Sequence, residues 1–190
     1  MDIHEHGLDP VQSLQLITEV ITKTKENIKE YSFLYLLWGW LIAIASFSFF
    51  ILHHYTSFKY FFLPFPILAI TGIVVSLWRH SVIRRQTETY VAGYLKKLWL
   101  VLGISFILVT FINVVETTAP FTYTLLIGGI GTLVSGLVLR FKPLVLGGVL
   151  FLLFSMISTF TPDSYKPLLQ GIAVIMGYLV PGYLLKYSRT

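Results

Sequence analysis

Cysteine is missing from all 190 positions, which excludes disulfides, thiolate metal ligands and cysteine lipidation together. Charge is scarce as well. Asp, Glu, Lys and Arg make up 12% of the residues, against about 25% in a soluble domain. Hydrophobic residues reach 55% and the mean hydropathy is +0.76, more apolar surface than one soluble core of this length can hide. Disorder requires the opposite composition. A soluble enzyme and a disordered chain both fall away, and an integral membrane protein remains. Residues 1–9 are polar and acidic. With no basic start leading into an apolar stretch, they do not read as a cleaved signal peptide, and the first span is expected to act as its own insertion signal.

Recognisable catalytic patterns are lacking too. The chain has no GxSxG, no HExxH and no paired carboxylates in an apolar run, so the polar chemistry that an intramembrane protease or lipid phosphatase needs is not in evidence. Gly128-Gly129-Ile130-Gly131 lies inside an apolar run and not between a strand and a soluble helix, so it does not read as a phosphate cradle. His4 and His6, and the adjacent pair His53 and His54, have no Cys or carboxylate cluster around them and read as solvent-exposed rather than metal-binding. Glu116, next to the end of a run, and Asp163 read as loop acids at the water boundary.

Six long apolar runs are present, over residues 33–52, 61–78, 98–115, 121–139, 143–160 and 167–185. Each is close to the roughly 20 residues a spanning helix needs, and none contains Lys, Arg, Asp, Glu or His. Pro64, Pro66, Pro120, Pro143 and Pro167 stand at or just before run starts, where a missing N–H costs little. Only Arg140, Phe141 and Lys142 separate the fourth run from the fifth, so those two helices are predicted to be antiparallel neighbours.

Basic residues set the expected orientation. With the N-terminus inside, the inner side holds Lys23, Lys25, Lys29, Arg79, Arg84, Arg85, Lys96, Lys97, Arg140, Lys142, Lys186 and Arg189; the outer side holds only Lys59 and Lys166. Both termini are therefore expected in the cytoplasm, with Trp78 and Trp99 as inner-boundary anchors. The formal net charge of +5 points to anionic lipid headgroups on that side and not to nucleic acid.

Residues 1–31 read as a cytoplasmic amphipathic segment and residues 32–190 as the membrane domain. Asp9 and Pro10 suit a helix start. Leu14, Ile17, Ile21, Ile28 and Tyr31 recur at three-and-four spacing, opposite Gln15, Glu19, Lys23, Lys25 and Glu26. No breaker separates this stripe from the first run. The basic connector of residues 79–97 also reads as helical. Within it Arg84, Arg85, Lys96 and Lys97 are candidate contacts for anionic lipid or a partner.

The spans differ in kind. The first two are aromatic, which predicts that they are the more lipid-facing. The last three are rich in small residues, which lets helix backbones approach and predicts a tight bundle. Gly128, Gly131, Gly136, Gly148, Gly177, Pro181 and Gly182 are the candidate packing or hinge positions, Pro181 because it removes a helical hydrogen bond. Gln170 and Asn113 are the amides in or near the spans and suit interhelical bonds.

Two stretches carry a resemblance. One runs from Ser13-Leu14-Gln15 through Lys25-Glu26-Asn27-Ile28 to Leu37-Trp38-Gly39-Trp40. The other joins residues 136–143 (GLVLRFKP) with Gly147-Gly148 and ends in residues 177–186 (GYLVPGYLLK). Together they resemble a family of small bacterial integral membrane proteins to which no activity attaches. The resemblance implies a six-helix protein of the bacterial inner membrane and supplies no site residue.

The expectation is thus an all-α polytopic bundle of six spans, both ends cytoplasmic, plus the amphipathic helix. No catalytic, cofactor or metal residues are assigned. A non-enzymatic role through lipid or protein contact at the cytoplasmic face is the leading reading, with a homo-oligomer or a soluble regulatory protein as partners beside lipid. A small transporter or channel for a neutral or apolar solute is the alternative, which calls for a polar path involving Gln170, Ser105, Ser155 or Thr110.

Overall fold

A computed structural model describes the backbone of residues 10–83 and 90–187, and side chains over 31–79, 81–82 and 91–187. The described residues are almost all helical, joined by short turns, with no strand among them. The helices are α1 (Pro10–Tyr55), α2 (Pro64–Ile83), α3 (Tyr90–Val115), α4 (Phe121–Val138), α5 (Lys142–Thr159), α6 (Lys166–Val174) and α7 (Val180–Tyr187). A π-helical turn, Ile175–Leu179, joins α6 to α7. Five helical stretches are long and apolar enough to cross a membrane: Tyr31–Tyr55, Val91–Val115, Phe121–Val138, Lys142–Thr159 and Asp163–Tyr187. The apolar part of α2, Pro64–Arg79, is shorter. This is the build of a membrane protein.

The amphipathic segment and the first span form one helix. α1 runs for 46 residues without a break, as a sequence with neither Pro nor Gly between residues 11 and 38 allows. At about 1.5 Å per residue, residues 10–30 add roughly 30 Å to the apolar part.

Chain ends of helices are closed by local geometry. α4 stops at Arg140, which takes a left-handed φ of 52°. Phe141 N–H then donates to Gly136 O at 2.9 Å and Arg140 N–H to Leu137 O at 3.2 Å, the paired bonds of a Schellman cap. α3 closes the same way on Thr117, φ 55°, with Thr118 N–H on Asn113 O at 2.8 Å and Thr117 N–H on Val114 O at 3.2 Å. Asn113 serves this cap: its Nδ2 donates to Val109 O at 2.8 Å and its Oδ1 accepts from Thr118 Oγ1 at 2.8 Å. The amide expected to link two helices therefore works within one corner of the chain, because it lies at the last turn of α3 where the chain doubles back.

α4 and α5 form the closest pair, antiparallel across the three-residue turn. At their crossing a Cβ on Gly136 would lie 2.6 Å from Val145 N, and one on Gly148 2.5 Å from Leu133 N. Backbone meets backbone there, which only glycine permits. This contact gives the dispersion attraction that holds helices together in lipid, where the hydrophobic effect between them is weak.

Burial refines one expectation. The apolar window of α1 is 28% buried, less than the 44%, 33% and 56% of the last three spans, and Trp40, Ile44 and Ile51 are exposed, yet its other faces are packed. The helix packs on α2 on one side and on α6, the π turn and α7 on the other. Ala43 and Ser46 are 2% and 0% exposed, and with Gly39 they form a small-residue stripe that lets the last span approach. Gly39 meets Leu179 and Tyr178, while Gly171 meets the Phe47 ring. α2 exposes Ile67, Ile70, Val74 and Leu77, as expected of the second span, and α3 is more exposed than expected, its apolar window 6% buried against 56% for Asp163–Tyr187.

Candidate functional site

The middle of the bundle is built on α4. Gly128, Thr132 and Ser135 recur at intervals of four and three, so they share one inward face. Thr132 Oγ1 donates to Gly128 O and Ser135 Oγ to Gly131 O, both at 2.7 Å. These back-bonds satisfy the hydroxyls inside the helix. Four rings from four elements close around that face. Trp99 of α3 donates from Nε1 to Ser135 Oγ at 3.1 Å. Tyr35 of α1 meets Trp99 edge-on at 6.2 Å and Tyr178 of the π turn at 5.6 Å. Tyr178 in turn meets Phe151 of α5 at 4.8 Å. Edge-to-face pairs of this kind each add about 0.5–1.5 kcal/mol beyond area burial. Tyr35 and Tyr178 are 7% and 4% exposed.

The cluster's chemistry is that of hydroxyl and indole donors. Among the described residues, the buried polar side chains are Ser32, Ser46, Asn113, Thr132, Ser135, Ser155, Ser158 and Gln170, none of which titrates near neutrality. Such a set holds helices in register.

A second polar group sits where α4 begins. Thr122 Oγ1 and Ser158 Oγ are 2.8 Å apart, Ser155 Oγ donates to Thr122 O at 2.9 Å, and Thr124 Oγ1 donates to Gln170 Oε1 at 3.2 Å. Gln170 thus links α6 to α4. The four groups named for a solute path do not converge. Gln170 and Ser155 bond to α4, Ser105 Oγ turns back to Val101 O at 3.0 Å, and Thr110 is exposed on α3.

The packing candidates separate by what surrounds them. Gly136 and Gly148 meet backbone, as above. Gly131 meets Leu102 and Trp99 of α3, with a built Cβ 2.5 Å from Leu102 Cδ1, and Gly182 meets Leu36 and Tyr35 of α1 at 3.1–3.4 Å. Gly177 meets Phe151, at 2.5 Å. Gly128 differs: its nearest neighbours, the Tyr178 hydroxyl and the Phe106 ring, would be 3.7 and 3.9 Å from a Cβ, which is ordinary contact. Its carbonyl matters more than its missing side chain. Gly147, outside the candidate set, is as tight as any, with a built Cβ 2.5 Å from Gly177 O.

That last contact explains the irregular final span. Pro181 has no N–H to offer the Gly177 carbonyl one turn earlier. The helix widens to a π turn over Ile175–Leu179, in which Val180 N–H reaches Ile175 O, and the Gly177 carbonyl lies against Gly147 of α5. The irregularity therefore falls one turn before Pro181, not at it.

At the end of the bundle where α4 stops, basic side chains gather. Lys96 and Lys97 are exposed in α3, as are Arg140, Lys142 and Lys186. Arg84 and Arg85 lie outside the described residues. Arg79, near the end of α2, is half-buried, and its guanidinium carbon stands 4.0 Å above the centre of the Phe33 ring of α1. Neither Arg79 with Phe33 nor the Tyr35–Trp99–Ser135–Tyr178 cluster was marked by sequence reasoning. The Gly128–Thr132–Ser135 spacing was the available signal for the cluster; the Arg79 contact joins two helices and leaves no local trace.

No family model, no curated protein and no solved structure matches the chain.

Proposed function

We propose that this is a six-span protein of the bacterial inner membrane, with both termini in the cytoplasm, that acts without catalysis by binding lipid or protein at its cytoplasmic face. The carrying observation is the unbroken α1. Its polar half brings an amphipathic stripe, Leu14, Ile17, Ile21 and Ile28, out of the membrane on the same helix that forms the centre of the bundle. The twelve-to-two split of basic residues supports the orientation. The buried hydroxyls and amides, with no buried Asp, Glu, Lys, Arg or His among the described residues, support a role without proton coupling. α2 is counted as the sixth span because the exposed Phe62 precedes it and the exposed Trp78 ends its apolar part. Such aromatic anchors, with local thinning of the bilayer, accommodate a short apolar helix.

Extraction in polymer discs followed by native mass spectrometry tests the reading. A stoichiometric protein, or anionic lipid beyond one per chain, that is retained by the wild type and lost from an Ile17→Asp/Ile21→Asp variant is the expected outcome. A bare monomer that the double substitution leaves unchanged would refute it. The π turn and Pro181 favour a second reading, a transporter or channel for a neutral or apolar solute that uses the final span as a moving part. That reading requires water access to the α4 face, measurable by maleimide labelling of a Thr132→Cys variant.

A further inference from the structure

Arg79 and Ser76 share one face of α2, the face turned to α1. Further along that face Gly72 lies against Trp38 and Leu41. Arg79 Nε is buried and has no hydrogen-bond partner, and Ser76 Oγ, one turn away, is the same. A half-buried guanidinium with no acceptor at Nε is costly, since charged donors lose more than neutral ones when left unmet. The Phe33 ring fixes the plane of the group from one side and supplies cation–π attraction, but a ring face accepts no in-plane N–H bonds. Nε is enclosed by protein, so it is the terminal nitrogens of this half-buried arginine that can meet an anion from outside. Its place at the charged end of an apolar helix, with Trp78 beside it 69% exposed, puts that anion at the depth of lipid headgroups.

We infer that Arg79, held over Phe33, is a specific site for the phosphodiester of an anionic phospholipid such as phosphatidylglycerol. The phosphate takes the terminal in-plane donors of the guanidinium, a geometry that arginine matches and lysine does not. Ser76 Oγ is enclosed by protein and takes no part in holding the lipid. Lys96 and Lys97 serve the diffuse attraction to the charged surface, which has no fixed geometry. The site deepens the proposed lipid role and rests on that reading.

The experiment uses the full chain in detergent with phosphatidylcholine, titrated with phosphatidylglycerol, with bound lipid counted by native mass spectrometry. One tightly held phosphatidylglycerol per chain is expected, with affinity falling roughly tenfold in Arg79→Gln and unchanged in Ser76→Ala and Lys97→Gln. Phe33→Leu keeps the charge, removes the platform and should weaken binding several-fold, which keeps the question open to test if Arg79→Gln does not fold. Equal affinity in Arg79→Gln and wild type would overturn the site. So would an equal loss in Lys97→Gln, which would mean diffuse attraction only. Heat protection by inorganic phosphate matching that by the lipid would make the ligand a free anion and overturn the lipid assignment. The Ile17→Asp/Ile21→Asp variant should keep this lipid, so failure of the α1 reading and failure of the Arg79 site register separately.

Discussion

Adding one methyl group to Gly148 should loosen the α4–α5 pair by a calculable amount. The new Cβ would stand 2.5 Å from Leu133 N, 2.6 Å from Leu133 Cα and 2.7 Å from Leu133 Cβ. Carbon contacts settle at about 3.5–4.0 Å, so the two helices must part by about 1 Å. Two of the three obstructing atoms are backbone, so no rotamer change relieves them. Overpacking of this sort costs about 1–3 kcal/mol, and backbone against backbone belongs at the upper end. Alanine's better helix propensity returns about 1 kcal/mol. The net loss is about 2 kcal/mol, a fall in Tm of about 4–8 °C for a chain of this size. Gly103→Ala is the internal control. It lies on lipid-facing α3 with nothing within 4 Å of a built Cβ, so it keeps the propensity gain and should melt slightly higher than wild type. Tryptophan fluorescence on heating in one detergent reads both variants, since Trp99 is packed against Ser135 in the bundle. Gly136→Ala strikes the same crossing, and because one separation serves both, the double variant should lose less than the sum of the single losses. Equal shifts for Gly148→Ala and Gly103→Ala would refute the close-approach argument.

Thr117 is a β-branched residue at φ 55°, so Thr117→Gly should raise stability by about 1 kcal/mol, and a lower Tm would show that the cap is not strained. A double-mutant cycle on Thr124→Val and Gln170→Leu should give a coupling of about 0.6 kcal/mol; zero coupling would mean that the 3.2 Å bond between α4 and α6 adds nothing. The cysteine-free background permits single-Cys mapping with an impermeant maleimide in intact cells. Ser57→Cys should label from outside while Glu88→Cys and Thr190→Cys stay protected; labelling of both Ser57→Cys and Glu88→Cys from outside would leave α2 uncrossed and the span count at five.

What the sequence made legible were features written locally. Proline at helix starts, the short turn before Pro143 and the runs free of charge each depend on neighbours in the chain, and they place the helix positions to within a few residues. The packing order was less legible, because it depends on which face of a helix meets which. α1 looked lipid-facing from its many aromatics, and Trp40, Ile44 and Ile51 do stand outward, yet Gly39, Ala43 and Ser46 give it a second face that packs on the last span. Gly128 and Gly131 look alike in sequence; one faces the open side of the Tyr178 hydroxyl and the other is pressed by Leu102 and Trp99. The π turn was hidden for the same reason. Pro181 signals a lost hydrogen bond, but where the helix widens depends on Gly147 and Phe151, some thirty residues earlier on α5.

The continuity of α1 makes it a lever. Its centre of rotation is the bundle, where α2, α6 and α7 pack on it, and its arm is the roughly 30 Å contributed by residues 10–30. A tilt of the whole bundle by about 10°, of the size that a change in bilayer thickness asks of a spanning helix, swings the end of that arm by about 5 Å. That is one helical turn. A rigid-body tilt is in this way magnified at the far end of α1, without a hinge.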